Sequence, residues 1–491
     1  MEIKWLSYED FGAKGDGVTD DIDAIIACHN EANKTGACVR AKDGAKYYIG
    51  PAPKTAFIKT TTVFGKAEFT IDDREVKLGE RGAAIFKIVS DFKPYPISIS
   101  SLSKDTKRLD FEHEGRVFVK VMNDNHKMFI RRSLNRNNGV STRDAFIVDA
   151  EGNILTDIDW NFETVTSATA KSIEDEPIKI VGGIFTTVAN RAESFYNYHN
   201  RGISVERSNV TIVDLTHYVT GEGEHGAPYG GFIVASEVAN FTMENCVMTP
   251  HFIYWTASQI PGKTVAMGSY DINIGSVIGA RFLSVSQTVN IKDNRYWGIF
   301  TSNFCKDVYF ENCILSRFDA HQGVTNVTLK SCTFGHQCIN LIGHGEALIE
   351  NCRIYGQRIS DFRFDYGSIW DGNVTVRNCV LTPTAEWQKI SLFTAVNSGD
   401  HDFGYECSLP KHITIDGLKI MNGGVPSTEF CVLPDYDTNN FPLPEGDTAE
   451  GKPFPYEPTH KLTIRNVSFE TEKELNITFN PELYEGLIIE R

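Results

Sequence analysis

The sequence predicts an all-β protein, a single-stranded right-handed parallel β-helix with an N-terminal helical cap. Three observations carry this. From about residue 57 onward the chain is a succession of short strand-like pieces punctuated by Gly, Asn and Asp. One element of about six residues recurs at a pitch near 20. No long amphipathic helix interrupts the series.

The recurring element is Val308-Tyr-Phe-Glu-Asn-Cys313, Val327-Thr-Leu-Lys-Ser-Cys332, Ala347-Leu-Ile-Glu-Asn-Cys352 and Val374-Thr-Val-Arg-Asn-Cys379. The cysteines are 19, 20 and 27 residues apart, the last step carrying an insertion. A unit of this length holding strands is the signature of a β-solenoid coil. Residues alternate inward and outward within it, Val374 and Val376 against Thr375 and Arg377. The Asn before each Cys sits at a turn, where its side chain tolerates left-handed backbone and can stack on the Asn of the next coil. Weaker copies stand at 289–294, 413–418 and 462–467.

The N-terminal segment has a different pattern. Ile22, Ile25, Ile26 and His29 fall at helical spacing, with Asp20 or Asp21 to cap the start. Gly12, Gly15 and Gly17 make the preceding stretch a tight loop. The helix would close an open sheet edge, which otherwise invites aggregation. Residues 1–491 are therefore expected to form a single β-helix domain, with 1–35 as the cap region. The segment near 120–145 reads as a loop or insertion. The stretches 221–231 and 433–460 read as long loops flanking a site.

Lys plus Arg number 48 and Asp plus Glu 64, a formal net charge of -16. Such a balance argues against nucleic acid as a partner and against anionic membranes. No apolar run is long enough to span a bilayer. The N-terminus lacks a secretory pattern, which implies a cytoplasmic protein, or a secreted or periplasmic one whose signal was removed. The 11 cysteines form no close C-x-x-C pair and read mainly as buried structural thiols.

Aligned positions of successive coils stand in a row, so a site is sought among polar residues that keep one offset from the repeat. Asp319, Asn340 and Asp365 keep nearly the same offset from the cysteine that follows each, and His321, His344, Arg363 and Tyr366 flank them. A carboxylate pair can act as acid and base on a glycosidic bond. The candidate catalytic residues are thus Asp319, Asp365, His344 and Asp361. Arg317, Arg358 and Arg363 would hold a sugar carboxylate or hydroxyl. Tyr366, Trp370 and Trp387 would stack on a sugar face, and His321 and Asn340 would line the groove. Glu222, Glu224, His225 and Tyr229, in the Gly-rich 221–231 stretch, form a second candidate contact. No metal ligand set is expected; Asp16, Asp20 and Asp21 read as turn and cap residues.

Asp10-Phe-Gly-Ala-Lys-Gly-Asp-Gly-Val-Thr-Asp-Asp21 resembles the opening signature of the pectate-lyase-like superfamily, which includes polygalacturonase-like hydrolases, polysaccharide lyases and tailspike depolymerases. The motif is specific for the fold and poor for the reaction. Polygalacturonase-like members carry Asn-x-Asp, an adjacent Asp pair, Gly-His-Gly and Arg-x-Lys on successive coils. This chain has Gly343-His344-Gly345, but Arg317-Phe-Asp319 without an Asp pair, Arg363-Phe-Asp365 in place of Arg-x-Lys, and Thr301-Ser-Asn303 in place of Asn-x-Asp.

The resemblance and the residues together imply a carbohydrate-active enzyme, foremost a glycoside hydrolase cleaving a plant or microbial glycan without a cofactor. The first alternative is a polysaccharide lyase acting by β-elimination on a uronate. Its base would come from His321, His344, Tyr366 or Arg363, with arginine or calcium neutralising the carboxylate. A glycan-transferring enzyme is a further one. The last is a non-catalytic glycan-binding or tailspike-like protein, for which a homo-oligomer, trimer or dimer, is implied.

Overall fold

The structure, a computed structural model, describes residues 4–131, 140–223, 227–257, 264–362, 370–384, 389–395, 401–402, 407–422, 429–433, 456–479 and 481–491. Two compact units are present, one of residues 1–93 and 172–301, the other of residues 94–171 and 302–491. Both are built from coils of a right-handed parallel β-helix, the hand that parallel crossover connections take.

In the first unit two parallel ladders run side by side. One joins Ala56–Ile58, Phe86–Val89, Ile203–Glu206, Ile233–Ser236 and Ile272–Gly275. The other joins Thr62–Asp72, Ile178–Val188, Val210–Val213, Phe241–Glu244 and Arg281–Leu283. Alternation decides which side faces in. Ile203, Ile233 and Ile272 are register mates and all are buried. Each such side chain contributes roughly 1.5–3 kcal/mol on leaving water. Phe69 and Phe185, also register mates, stack at 4.7 Å between centroids.

The expected helix is Ile22–Thr35, burying Ile22, Ile25, Cys28, His29 and Ala32. Asp20 and Asp21 divide the work at its start. Asp20 accepts the Ile22 N–H at 3.1 Å, while the Asp21 carboxylate accepts the N–H groups of Lys14 and Gly15 and ties down the glycine loop. Gly15 has φ +58 and an added Cβ would meet Ala45 at 2.9 Å, so that loop position requires glycine.

In the second unit Cys305–Glu311, Val324–Lys330, Gly343–Glu350, Trp370–Thr382, His412–Ile420 and Lys461–Arg465 stack in parallel. The repeat read from sequence lies on these strands. Within the segment near 120–145, residues 120–131 and 140–145 are strand rather than loop, and 132–139 lie outside the described residues. The two strands form an antiparallel pair, Val117–Arg131 with Val140–Val148. Val117, Val119, Val121, Phe146 and Val148 form a core of their own there, with Ile158, Phe162 and Ala170. The alternation at 117–121 was masked by the Asn- and Arg-rich run that follows it. Conversely, 289–294 is no strand: Asn290 and Asp293 accept the N–H groups of Lys292 and Arg295 and hold successive turns. Most of the 433–460 stretch lies outside the described residues.

The Asn-Cys turns are left-handed. Asn245, Asn312, Asn351 and Asn378 have φ between 52 and 56, and Ser331 has φ 54. At two other left-handed positions the Asn240 amide donates to the Asn209 side-chain oxygen at 2.8 Å. Left-handed backbone costs a Cβ-bearing residue about 1–2 kcal/mol. Asn351→Ala should therefore lose about 1 kcal/mol in urea unfolding, while Asn351→Gly loses little. Equal losses in the two variants would show that the turn does not select for φ. The cysteines beside these turns are free thiols. Cys246, Cys332, Cys352 and Cys379 are all buried.

Candidate functional site

Strand register places the candidate residues of the second unit in two separate rows. In the first row Asp319 pairs with Asn340, Asn340 with Asp361, and Asp361 with Thr394. Asp361 is thus the register mate of Asn340. Asp365, together with Arg363 and Tyr366, lies outside the described residues, as does Trp387. Adjacent rungs are about 4.8 Å apart, so Asp319 and Asp361 are about 10 Å apart at Cα.

Each member of this row is held. Asp319 is fully buried, and Arg317 reaches its carboxylate at 2.9 Å. Arg317 also donates to the Gln337 side-chain oxygen at 2.6 Å. Asn340 donates its amide to the carbonyls of Gln337 and Phe318. The Thr394 hydroxyl donates to Asp361 at 2.8 Å, and Arg358 stands 3.9 Å from the other carboxylate oxygen. The row therefore offers two carboxylates, an amide between them and two guanidinium groups. His321 lies beside it, its Nδ1 3.0 Å from the Asn303 side-chain oxygen. Trp370 is fully buried, its indole N–H bonded to the Asn373 carbonyl, so its ring presents no face to a sugar.

His344 belongs to the second row. Lys306, Thr325, His344 and Asp371 are successive register mates. Each meets the 94–171 segment. Lys306 lies 2.6 Å from Asp144 and 3.3 Å from Asp159. Thr325 donates to Asp159 at 2.9 Å. The His344 ring meets Trp160 edge-on at 4.8 Å. Asp371 pairs with Lys411 at 2.5 Å and Lys104 at 3.5 Å. The neighbouring His344 ring, then Lys411 and Lys104, hold its carboxyl well below the usual range. The Gly-His-Gly tripeptide thus serves a docking row. Gly343 must be glycine, since a Cβ there would lie 1.9 Å from the Val324 carbonyl oxygen.

Tyr229 lies in the first unit and is buried. Its hydroxyl accepts the Asn190 N–H at 2.8 Å and its ring stacks on His251 at 4.6 Å. Glu224 and His225 lie outside the described residues. Around Tyr229 is a buried polar network that joins Glu222 to His217, His251, Tyr254 and Asp271, four residues with no mark in the sequence. Asp271 faces His217 Nδ1 at 2.8 Å and His251 Nε2 at 3.7 Å. Glu222 faces His251 Nδ1 at 2.9 Å and accepts the Tyr254 hydroxyl at 2.5 Å. Burial opposes charge on His251, but Glu222 and Asp271 outweigh it and push its pKa up to about 9. A histidine raised above its ordinary 6.5 adds stability that is complete below about 6.5 and lost as pH rises through about 9. The melting temperature should fall across that window, and less so in His251→Gln. Identical pH profiles for the two proteins would contradict the pairing.

Among the described residues no three His, Cys, Asp or Glu side chains gather to hold a metal ion, and no helix is long and apolar enough to cross a membrane.

The fold on which these rows stand is a parallel β-helix. No family model and no curated protein matches the sequence. Solved structures share the architecture remotely. The tailspike protein gp49 from Pseudomonas phage LKA1 matches at 13% identity and TM-score 0.47, over 94% of this chain and 81% of that one. The Streptococcus pneumoniae surface protein and adhesin PfbA matches at 12% and 0.46, over 95% and 100%. An exopolygalacturonase from Thermotoga maritima matches at 10% and 0.38, over 98% and 93%. None of these likenesses assigns a role to a residue of this chain.

Proposed function

We propose that this chain is a carbohydrate-active enzyme, a glycoside hydrolase whose site is the Asp319–Asn340–Asp361 row. The observation that carries the reading is the register of two carboxylates two rungs apart on one ladder. Inverting glycosidases need carboxyl groups about 6.5–9.5 Å apart to admit a water. Side chains leaning together from Cα atoms about 10 Å apart would meet that need. Arg317 balances the charge of Asp319, which is assigned as base, and Asp361 is assigned as acid. Arg358 stands ready to bind a substrate hydroxyl or carboxylate.

A second reading, non-catalytic glycan binding, is favoured by one fact: Asp319 is fully buried and Asp361 nearly so. A glycan reaches these carboxylates only if their surroundings open. A panel of glycans incubated with the protein separates the readings. New reducing ends support hydrolysis. Unsaturated products would move the assignment to a lyase, and retention of a glycan without turnover would move it to binding.

A further inference from the structure

Lys306, Asp144 and Asp159 form a buried triad that the hydrolase reading does not use. Lys306 comes from the solenoid coil Cys305–Glu311, Asp144 from the strand Val140–Val148, and Asp159 from the stretch after it. The side chains of Lys306 and Asp144 are 3% and 0% exposed. Their reactive atoms, Nζ and Oδ1, stand 2.6 Å apart. Asp159 Oδ2 lies 3.3 Å from the same nitrogen and is itself fixed by the Thr325 hydroxyl. The Asp157 carbonyl accepts a further hydrogen bond from Nζ and aims it.

The Asp144 carboxyl is also prepared as an acceptor of nucleophilic attack. Oδ1 takes the Ala145 N–H at 2.7 Å, and Oδ2 takes the Asp159 N–H at 2.7 Å. The Asp159 N–H on Oδ2 is placed to stabilise the negative charge that gathers on that oxygen in a tetrahedral intermediate. Holding amine and carboxyl in contact supplies the proximity that a bimolecular condensation lacks. Burial first, then the Asp159 charge, pushes the Asp144 pKa up to about 6 against the pull of Lys306, so at neutral pH the pair enters the step as carboxylate and ammonium. Burial also excludes the water that drives hydrolysis of an amide.

We propose that Lys306 and Asp144 condense to a side-chain amide, with Asp159 as the proton-handling group. The Nζ–Cγ bond forms from the amine lone pair. The Cγ–Oδ1 bond breaks, and its electron pair leaves with the oxygen. The ammonium holds three protons; one stays on the amide nitrogen and two depart with the oxygen as water. Asp159 takes a proton from the nitrogen and returns it to the leaving oxygen, ending unchanged. No oxidant or other reactant is required. The product is a covalent tie between the 94–171 segment and the coil beneath it.

Intact mass of the full chain tests this directly. The expected result is a mass lower than the sequence mass by one water. Tryptic digestion should yield one branched species joining residues 144–171 to residues 296–317, uncleaved after Lys306. Asp159→Asn keeps both partners and should appear at full mass, as should Lys306→Arg, which retains the charge. Wild-type protein at full mass, with residues 144–171 recovered as a separate peptide, overturns the proposal. A water-loss species in Lys306→Arg overturns it equally, because the loss then arises elsewhere.

Discussion

Lys306→Met is expected to destabilise the second unit by about 3–5 kcal/mol, the range for breaking a buried ion pair from one side. Whether the partners are joined by charge or by an amide, the substitution leaves Asp144 and Asp159 facing each other without their cation. Asp144 is fully buried and shares its environment with Asp159, so neither charge can retreat into water. The surface pair Lys46 and Glu68 provides the contrast. Its members are 61% and 46% exposed, and Lys46→Met should change stability by less than about 1 kcal/mol. Hydrogen exchange over the paired strands Val117–Arg131 and Val140–Val148 reads the first effect locally. Unchanged protection there in Lys306→Met would show that the row does not hold the insertion.

The second large effect is expected at Asp271. Its carboxylate is fully buried, receives the Thr249 N–H at 2.9 Å, and faces two histidines. Asp271→Ala strands the Thr249 N–H and His217 Nδ1 and leaves His251 with Glu222 alone. An unpaired buried donor costs about 1–3 kcal/mol, and a charged one more. A loss of about 3–5 kcal/mol is therefore expected, comparable to that at Lys306 and well above that at a left-handed Asn turn. Burial opposes the Asp271 charge, but His217 and His251 prevail and hold its pKa below the usual value. A loss of under about 1 kcal/mol in thermal or urea unfolding would mean that the histidines find other partners.

The solenoid was legible because its information is local and repeated. The Asn-Cys element recurs every coil, and its inward Val and Ile positions follow from alternation alone. The helix Ile22–Thr35 was legible from helical spacing. The site was legible only in part. Offsets from Cys332 and Cys352 aligned Asp319 with Asn340 correctly, since the strands between those markers keep register. In the next coil register pairs Asn340 with Asp361, while Asp365 lies outside the described residues. His344 was drawn toward Asp319 by proximity in sequence, but it lies on a different strand of its coil and its register mates are Thr325 and Asp371. The triad of Lys306, Asp144 and Asp159, and the Asp271 network, join residues distant in sequence. Nothing in the spacing of a single chain marks such pairs.

The central claim is that the Asp319–Asn340–Asp361 row cleaves a glycan. The most direct test is reducing-end release by Asp361→Asn beside the wild-type protein, on the best substrate of the panel and with fold checked by circular dichroism. Removing a general acid costs about 10²–10⁴-fold, and the account predicts a loss in that range with the fold intact. Full activity in a folded Asp361→Asn protein would contradict it.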